Sequence, residues 1–309
     1  MDTFARFHPV NIFLENFDEK SDSGPNGFTK KLFSQLVKDD KVKLTNYQDA
    51  DLSFCLIQET VKKIKPRVLR LDGIYFNSEQ DYQSLNHPIR QTYESADAVI
   101  FQTQFNKDLI ETWFGKHNNG HIIRNGTDVD LINNIPPIQH HVLEKFREIW
   151  SCAAAWRPHK RLTENIRYFL EFAPSDAALV VMGKDAEKWL INDPRILYVG
   201  HIPWETQISI CKRSSTFLHL AWLDHCPNVV IDARASGCKI VCSSAGGTKE
   251  IAGINSIVIN EDGWDFSPVK LYEPPKIDFT NLFAGIENID IDISSVSKTY
   301  LDAISSVIK

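Results

Sequence analysis

The stretch LAWLDHCPNVVIDARASG, residues 220–237, sets two carboxylates eight positions apart, Asp224 and Asp232, with Pro227 between them. Proline suits the first turn of a helix because its missing N–H would have no partner there, and Gly237 suits the stop. A strand ending near Leu223 would deliver the chain to this helix. The N–H groups of Asn228 and Val229 then point out of the helix start, where unpaired donors and the dipole favour an anion. Asp224 falls in the turn before the helix. Asp232 falls just over one turn inside it, where an acid can accept hydrogen bonds from a ribose diol. Spacing alone also allows a plain N-cap for Asp224 and a solvated helix residue for Asp232.

Three further segments carry chemistry. WRPHKRL, 156–162, follows an apolar run and brings Arg157, His159, Lys160 and Arg161 to a strand end. Three fixed cations there suit an anionic group, phosphate above all; a basic surface helix start is the alternative. KIVCSSAGGTKEIAG, 239–253, reads as a strand, then Ala245-Gly246-Gly247, then a helix capped by Thr248. Glycines admit close approach of a ligand to the backbone, although Gly-Gly alone can be an ordinary turn. In SDSGPNGFTKKLF, 21–33, Gly24, Asn26 and Gly27 make a flexible turn at a helix start, able to hold phosphate or sugar. It is neither a GxGxxG nor a P-loop, which argues against nucleotide hydrolysis of that type. RLDGIYF, 70–76, sets Asp72 directly after an apolar strand, either as a site acid or as a turn residue.

The elements that position these residues alternate. VNIFL (10–14), DLSFCLI (51–57), PRVLRL (66–71), DAVIFQ (97–102) and GHIIRN (120–125) read as strands, with helices over 28–38, 80–94 and 104–114. The pattern predicts a parallel sheet covered on both faces. GTDVDLINNIPPIQHH, about 126–140, holds two prolines and no sustained period, and reads as a linker. The second half repeats the architecture. Its strands are predicted at 149–155, 177–183, 195–200, 216–223, 239–244 and 255–260, and its helices at 160–172, 203–213 and 227–236. The expected fold is α/β with two Rossmann-like domains, over 1–130 and 131–293, and a ligand cleft between them. Residues 262–279 read as an extended wrapping segment, and 294–309 as an amphipathic helix.

Composition bounds the partners. The 309 residues carry a formal net charge of −6, which argues against nucleic acid as partner. The basic pairs Lys30-Lys31 and Lys62-Lys63, with Lys65, are flanked by acids and read as solvated faces. Six cysteines without a CxxC, and ten histidines without ligand spacing, predict neither a disulfide framework nor a metal site. The N-terminus lacks the basic flank and apolar core of a signal peptide, and no run approaches the ~18 apolar residues of a membrane span. A cytoplasmic address is expected.

Taken in order, these segments resemble the retaining glycosyltransferases of family 4 (glycosyl transferases group 1), which have the GT-B fold of two facing Rossmann-like domains. SGPNG resembles the family's N-terminal glycine loop, and SADAVIFQTQFNKDLI with HIIRNGTDVD resembles the end of its first domain. WRPHKRL resembles its basic loop, DHCPNVVID its paired-acid motif, and SSAGGTKEIAG its Gly-Gly-x-x-Glu segment. The matches run from about residue 20 to 253. Asp224 and Asp232 stand where the family has glutamates, Asp72 where it often has histidine, and Arg157 or Arg161 must serve for an arginine five positions before Lys160, where this chain has Ala155.

The resemblance implies a nucleotide-diphosphate sugar donor, a carbohydrate, lipid-linked or other hydroxyl acceptor, no metal or other cofactor, and peripheral membrane contact as an option. It also implies that the terminal helix joins the first domain. Lys160, Arg157 and the N–H groups at 228–229 and near Gly247 would meet the leaving diphosphate, with Gly27, Gly246 and Thr248 also on the donor side. Asp232 would hold the ribose, Asp224 would orient the donor sugar, and Asp72 would contact sugar or take the acceptor proton. A nucleotide-sugar epimerase of the same fold and a non-catalytic nucleotide-sugar binding protein are the alternatives.

Overall fold

The structure, a computed structural model, describes residues 9–21, 23–62, 65–285 and 289–308. The reading of the extreme N-terminus, Lys63 of the basic stretch and Lys309 of the last helix lie outside the described residues. In chain order the elements are β1 (Val10–Glu15), α1 (Gly24–Lys38), β2 (Val42–Leu44), β3 (Leu52–Leu56), β4 (Arg67–Leu71), α2 (Tyr82–Ser95), β5 (Ala98–Phe101), α3 (Gln104–Phe114) and β6 (Gly120–Ile122). They continue with α4 (Val129–Asn134), β7 (Glu148–Ala153), α5 (Leu162–Phe172), β8 (Ala177–Met182), β9 (Ile196–Gly200), α6 (Trp204–Arg213) and β10 (Thr216–His219). The chain closes with α7 (Asn228–Ala235), β11 (Lys239–Ser243), β12 (Ile257–Ile259), β13 (Leu282–Ala284) and α8 (Ile293–Ser305).

These elements form two compact units. One comprises the chain through Tyr75, Asp81–Gly126 and the residues from Asp290 on; the other comprises Phe76–Gln80 and Thr127–Ile289. The first holds a sheet of order β2-β1-β3-β4-β5-β6, every pairing parallel. Every residue of β3, β4 and β5 is buried, as apolar runs covered by helices on both faces should be. The second holds β13-β12-β11-β10-β7-β8-β9, parallel except for the antiparallel β13 at its edge. Both sheets are Rossmann-like.

Several local expectations change. α1 begins at Gly24, because Ser23 has extended backbone and Pro25 occupies the first turn. Gly24 and Gly27 therefore belong to the helix, not to a flexible turn. The 126–140 segment contains α4, whose N-cap Asp128 accepts a hydrogen bond from the Leu131 N–H at 2.8 Å. β2 and β13 are short edge strands whose three residues carry too little pattern to be read. α8 packs with α1 in the first unit. Tyr300 lies 5.7 Å from Phe28 and 6.2 Å from Phe54, ring to ring, and Ile293, Val296 and Ile304 join the same core. Among the described residues, no helix is long and apolar enough to cross a membrane.

Candidate functional site

In the second unit β10 stops at His219, four residues before the expected end. The chain leaves the ladder because its next polar groups bond to side chains and neighbouring turns. The Leu220 N–H donates to Asn165 Oδ1 (3.2 Å), Trp222 N–H to the His159 carbonyl (2.7 Å) and Leu223 N–H to the Ala245 carbonyl (2.9 Å). This fixes the turn that carries Asp224. Leu223, at φ +57°, and Arg161, at φ +52°, are held in the left-handed region, a conformation that costs a non-glycine residue ~1–3 kcal/mol and gathers at functional sites. They adjoin Asp224 and Lys160.

Those two side chains meet. Lys160 Nζ donates to Asp224 Oδ2 at 2.6 Å, with the side chains 21% and 14% exposed. His219 Nε2 lies 2.8 Å from the same oxygen, and the His225 N–H donates to Oδ1 at 3.1 Å. Burial would raise the Asp224 carboxyl, but Lys160 and His219 outweigh it and hold it well below the usual carboxylate range. The three histidines here are kept neutral, chiefly by burial: His219 is lowered, His225 is lowered to about 4 and His159 to about 3. An ionised carboxylate has only acceptors, so His219 must carry its proton on Nε2.

Asp224 is not a cap in the expected sense. Pro227 holds the N-cap position of α7, which no side chain caps. The Asp224 backbone instead pairs with the Gly246 turn: the Gly247 N–H donates to the Asp224 carbonyl at 2.8 Å, and the two turns form an isolated parallel bridge. Gly246 is required for this. Its φ is +124°, and a Cβ would lie 2.6 Å from the Asp224 carbonyl oxygen and 2.9 Å from its nitrogen. The close approach that glycine permits is thus to another stretch of this chain. The helix expected after it is a single 3-10 turn, Thr248–Glu250, with Gly247 rather than Thr248 at the cap. Thr248 is buried, and its hydroxyl has no partner among the described residues.

The remaining basic and acidic candidates separate. Arg157 is exposed and stands before a 3-10 turn, Pro158–Lys160. Arg161 is 3% exposed and is spent on Glu261, through two bonds of 2.8 Å, and on the Pro275 carbonyl. It acts as a structural clamp between these segments. Asp232, read as either solvated or ribose-facing, is 3% exposed. Its Oδ1 accepts from Thr127 Oγ1 at 2.6 Å and its Oδ2 from Trp204 Nε1 at 2.8 Å. Asn228 and Val229 open α7 half-buried. Gly27 sits in the first turn of α1, where its N–H already bonds the Ser23 carbonyl at 2.8 Å and a Cβ would meet no described residue within 4 Å.

Asp72 lies in the first unit, after β4, and is no mere turn residue. Arg70 donates to its Oδ2 at 2.8 Å, to Asn125 Oδ1 at 2.9 Å and to the Tyr300 hydroxyl at 3.2 Å, with its guanidinium 4.6 Å from the Phe28 ring centre. Burial pushes the Asp72 carboxyl up to about 6, against the pull of Arg70.

Sequence reasoning missed His219, His225 and the role of His159. The available signal was a polar ring in an apolar run, FLHLAWLDH, five residues before Asp224. Among the described residues, no group of three His, Cys, Asp or Glu side chains is placed to hold a metal ion.

No protein-family model matches the chain, and no curated protein matches it in sequence. Solved structures do match. The chain has the two-unit GT-B fold of glycosyltransferase structures, with two sheets of parallel or largely parallel strands. HepE of Anabaena, in complex with UDP, superposes with a TM-score of 0.67 at 12% identity, covering 96% of this chain and 100% of that one. AviGT4, a glycosyltransferase involved in avilamycin A biosynthesis, gives 0.62 at 12% identity over 97% and 98%. WaaG, a glycosyltransferase of lipopolysaccharide biosynthesis, gives 0.61 at 11% over 96% and 92%. At such identities the likeness is one of fold.

Proposed function

We propose that this chain is a glycosyltransferase of the family 4 kind, moving a sugar from a nucleoside-diphosphate donor to a hydroxyl acceptor with retention and without a metal. The observation that carries the reading is the Lys160–Asp224–His219 cluster just before the α7 N-terminus. It sets a cation and outward-directed N–H groups where a diphosphate gains charge, with an ionised acid beside them. HepE, of like fold, is solved with UDP-glucose, which makes uridine donors the first to test. Six free, buried cysteines support work in the reducing cytoplasm.

In this reading Lys160 and the exposed Arg157 meet the leaving diphosphate, together with the N–H groups of Asn228 and Val229. The Thr248 hydroxyl offers a further donor. Asp224 Oδ1 accepts a donor-sugar hydroxyl. Asp232 holds the ribose through the lone pairs that Thr127 and Trp204 leave over, since a carboxylate offers about four. Asp72, held near 6, takes the acceptor proton, a value suited to a base working near neutrality. Gly27, with open space at its Cβ position, stands on the donor side. The test is a thermal-shift and turnover screen over UDP-, GDP-, ADP- and TDP-sugars, with carbohydrate and lipid-linked acceptors, with and without EDTA. A donor that raises the melting temperature, EDTA-resistant transfer and a product of unchanged anomeric configuration are expected. A screen in which no nucleotide sugar raises the melting temperature would reject the proposal.

A further inference from the structure

The Asp224 carboxylate is held unequally. Oδ2 accepts from two side chains, Lys160 Nζ at 2.6 Å and His219 Nε2 at 2.8 Å, whereas Oδ1 accepts, among the described residues, only the neighbouring His225 N–H, at 3.1 Å. His219 is 4% exposed and is the last residue of β10, a strand paired with both β7 and β11. Its position is therefore set by the sheet. Lys160, 21% exposed at the end of a 3-10 turn, hangs on a flexible four-carbon stem. One donor to Oδ2 is rigid and neutral, and the other is mobile and charged.

A single lysine cannot fully serve two anions. Any swing of Lys160 toward a diphosphate strips Asp224 of its cation, and a buried carboxylate left with neither charge nor donor is costly. We infer that His219 is a positioning residue: its Nε2–H anchors Asp224 Oδ2 while Lys160 serves the diphosphate, so that Oδ1 stays aimed at the sugar. The inference rests on the glycosyl-transfer reading and extends it to a residue that neither the paired-acid spacing nor the basic loop includes. Every other charged or titratable group near the carboxylate fits this division. His159 and His225 are held neutral by burial, and Arg157 is exposed. Lys160 is thus the one cation bonded to Asp224 among the described residues.

The test compares His219→Leu, which removes the donor, with His219→Gln, whose amide restores a neutral N–H. His219→Leu is expected to lower kcat about 10- to 100-fold, the worth of one hydrogen bond to a charged group, with KM for the donor changed far less. Gln should recover most of the loss. A second readout needs no substrate: carbon-detected NMR titration of the Asp224 carboxyl in the full chain. Its midpoint should move up toward the ordinary carboxylate value in the Leu variant and stay low in the Gln variant. A midpoint unmoved by His219→Leu, or equal loss of kcat in both variants, would overturn the inference. If His219→Leu fails to fold, the Gln variant decides: turnover and an Asp224 midpoint close to those of the starting protein support the anchor, and loss of both refutes it. Absence of transfer by the starting protein, with the Asp224 midpoint still moved by His219→Leu, would sink the glycosyl-transfer reading and leave the anchor standing.

Discussion

Each unit sets a largely buried aspartate beside a basic side chain, and the two acids shift in opposite directions. In the first, Arg70 reaches Asp72 at 2.8 Å and the carboxyl is pushed up to about 6. In the second, Lys160 reaches Asp224 at 2.6 Å and the carboxyl is held well below its usual range. Distance does not explain the contrast. Arg70 divides its donors among Asp72, Asn125 and Tyr300, and lies over the Phe28 ring. Burial of Asp72 is met by that one shared cation. Asp224 gathers Lys160 and His219 onto one oxygen and a backbone N–H onto the other. How many donors converge on a buried carboxylate decides its charge more than the presence of a nearby cation does.

The largest effect that could break this contrast is Arg70→Ala. Arg70 is fully buried, and its removal takes a hydrogen bond from Asp72, Asn125 and Tyr300 at once. A loss of about 3–5 kcal/mol is expected in a denaturant melt; a loss under about 1 kcal/mol would show that the first unit does not depend on the network. Gly246→Ala comes next, because the added Cβ collides with the Asp224 backbone and the φ of +124° is strained. About 2–3 kcal/mol is expected, together with release of the Asp224 turn, visible as faster amide exchange at Gly247.

Lys160→Ala should behave unlike Arg70→Ala. Its side chain is partly exposed and His219 remains on Asp224, so binding rather than folding should suffer. Calorimetry is expected to show nucleoside-diphosphate affinity reduced about 10- to 100-fold, with the melt changed less than by Arg70→Ala. Unaltered affinity would remove Lys160 from the site.

Acid and base should separate the regions by pH. The folded value of Asp72 lies above the unfolded one, so its contribution is full below about pH 4 and is lost as pH rises through 6. Asp72→Asn should therefore gain stability over the starting protein across pH 4–6, on the order of 2 kcal/mol by its end. His159 and His225 have folded values lowered to about 3 and about 4. Their contribution is present above the unfolded value near 6.5 and is lost as pH falls. Melts of the Asn variant and of a His225→Gln variant across pH 3–8 check both signs. The smallest effect is Gly27→Ala, at a helical position with open space: a gain of about 0.5–1 kcal/mol. A marked loss of turnover there would support a place for the glycine on the donor side.

The alternating units were legible from apolar runs such as AALVVM and LSFCL, because strands buried on both faces leave unbroken apolar stretches. Lys160 and Asp224 were legible as a basic turn and an acidic turn following strands. Their pairing was not, since it joins residues 64 apart. The histidines escaped for the same reason: a ring five residues from an acid says nothing until the chain turns to bring them together. Asp232 shows the reverse. A helical position predicted solvent or a ligand, and only the fold revealed that Thr127 and Trp204 occupy both oxygens. Arg161, legible as a cation for phosphate, proved to be held by Glu261, one hundred positions away. Local pattern encodes which element a residue joins and where it starts, because propensity and burial act over a few neighbours. Which charges meet depends on contacts between distant segments, and those exist only once the sheet that carries them is built.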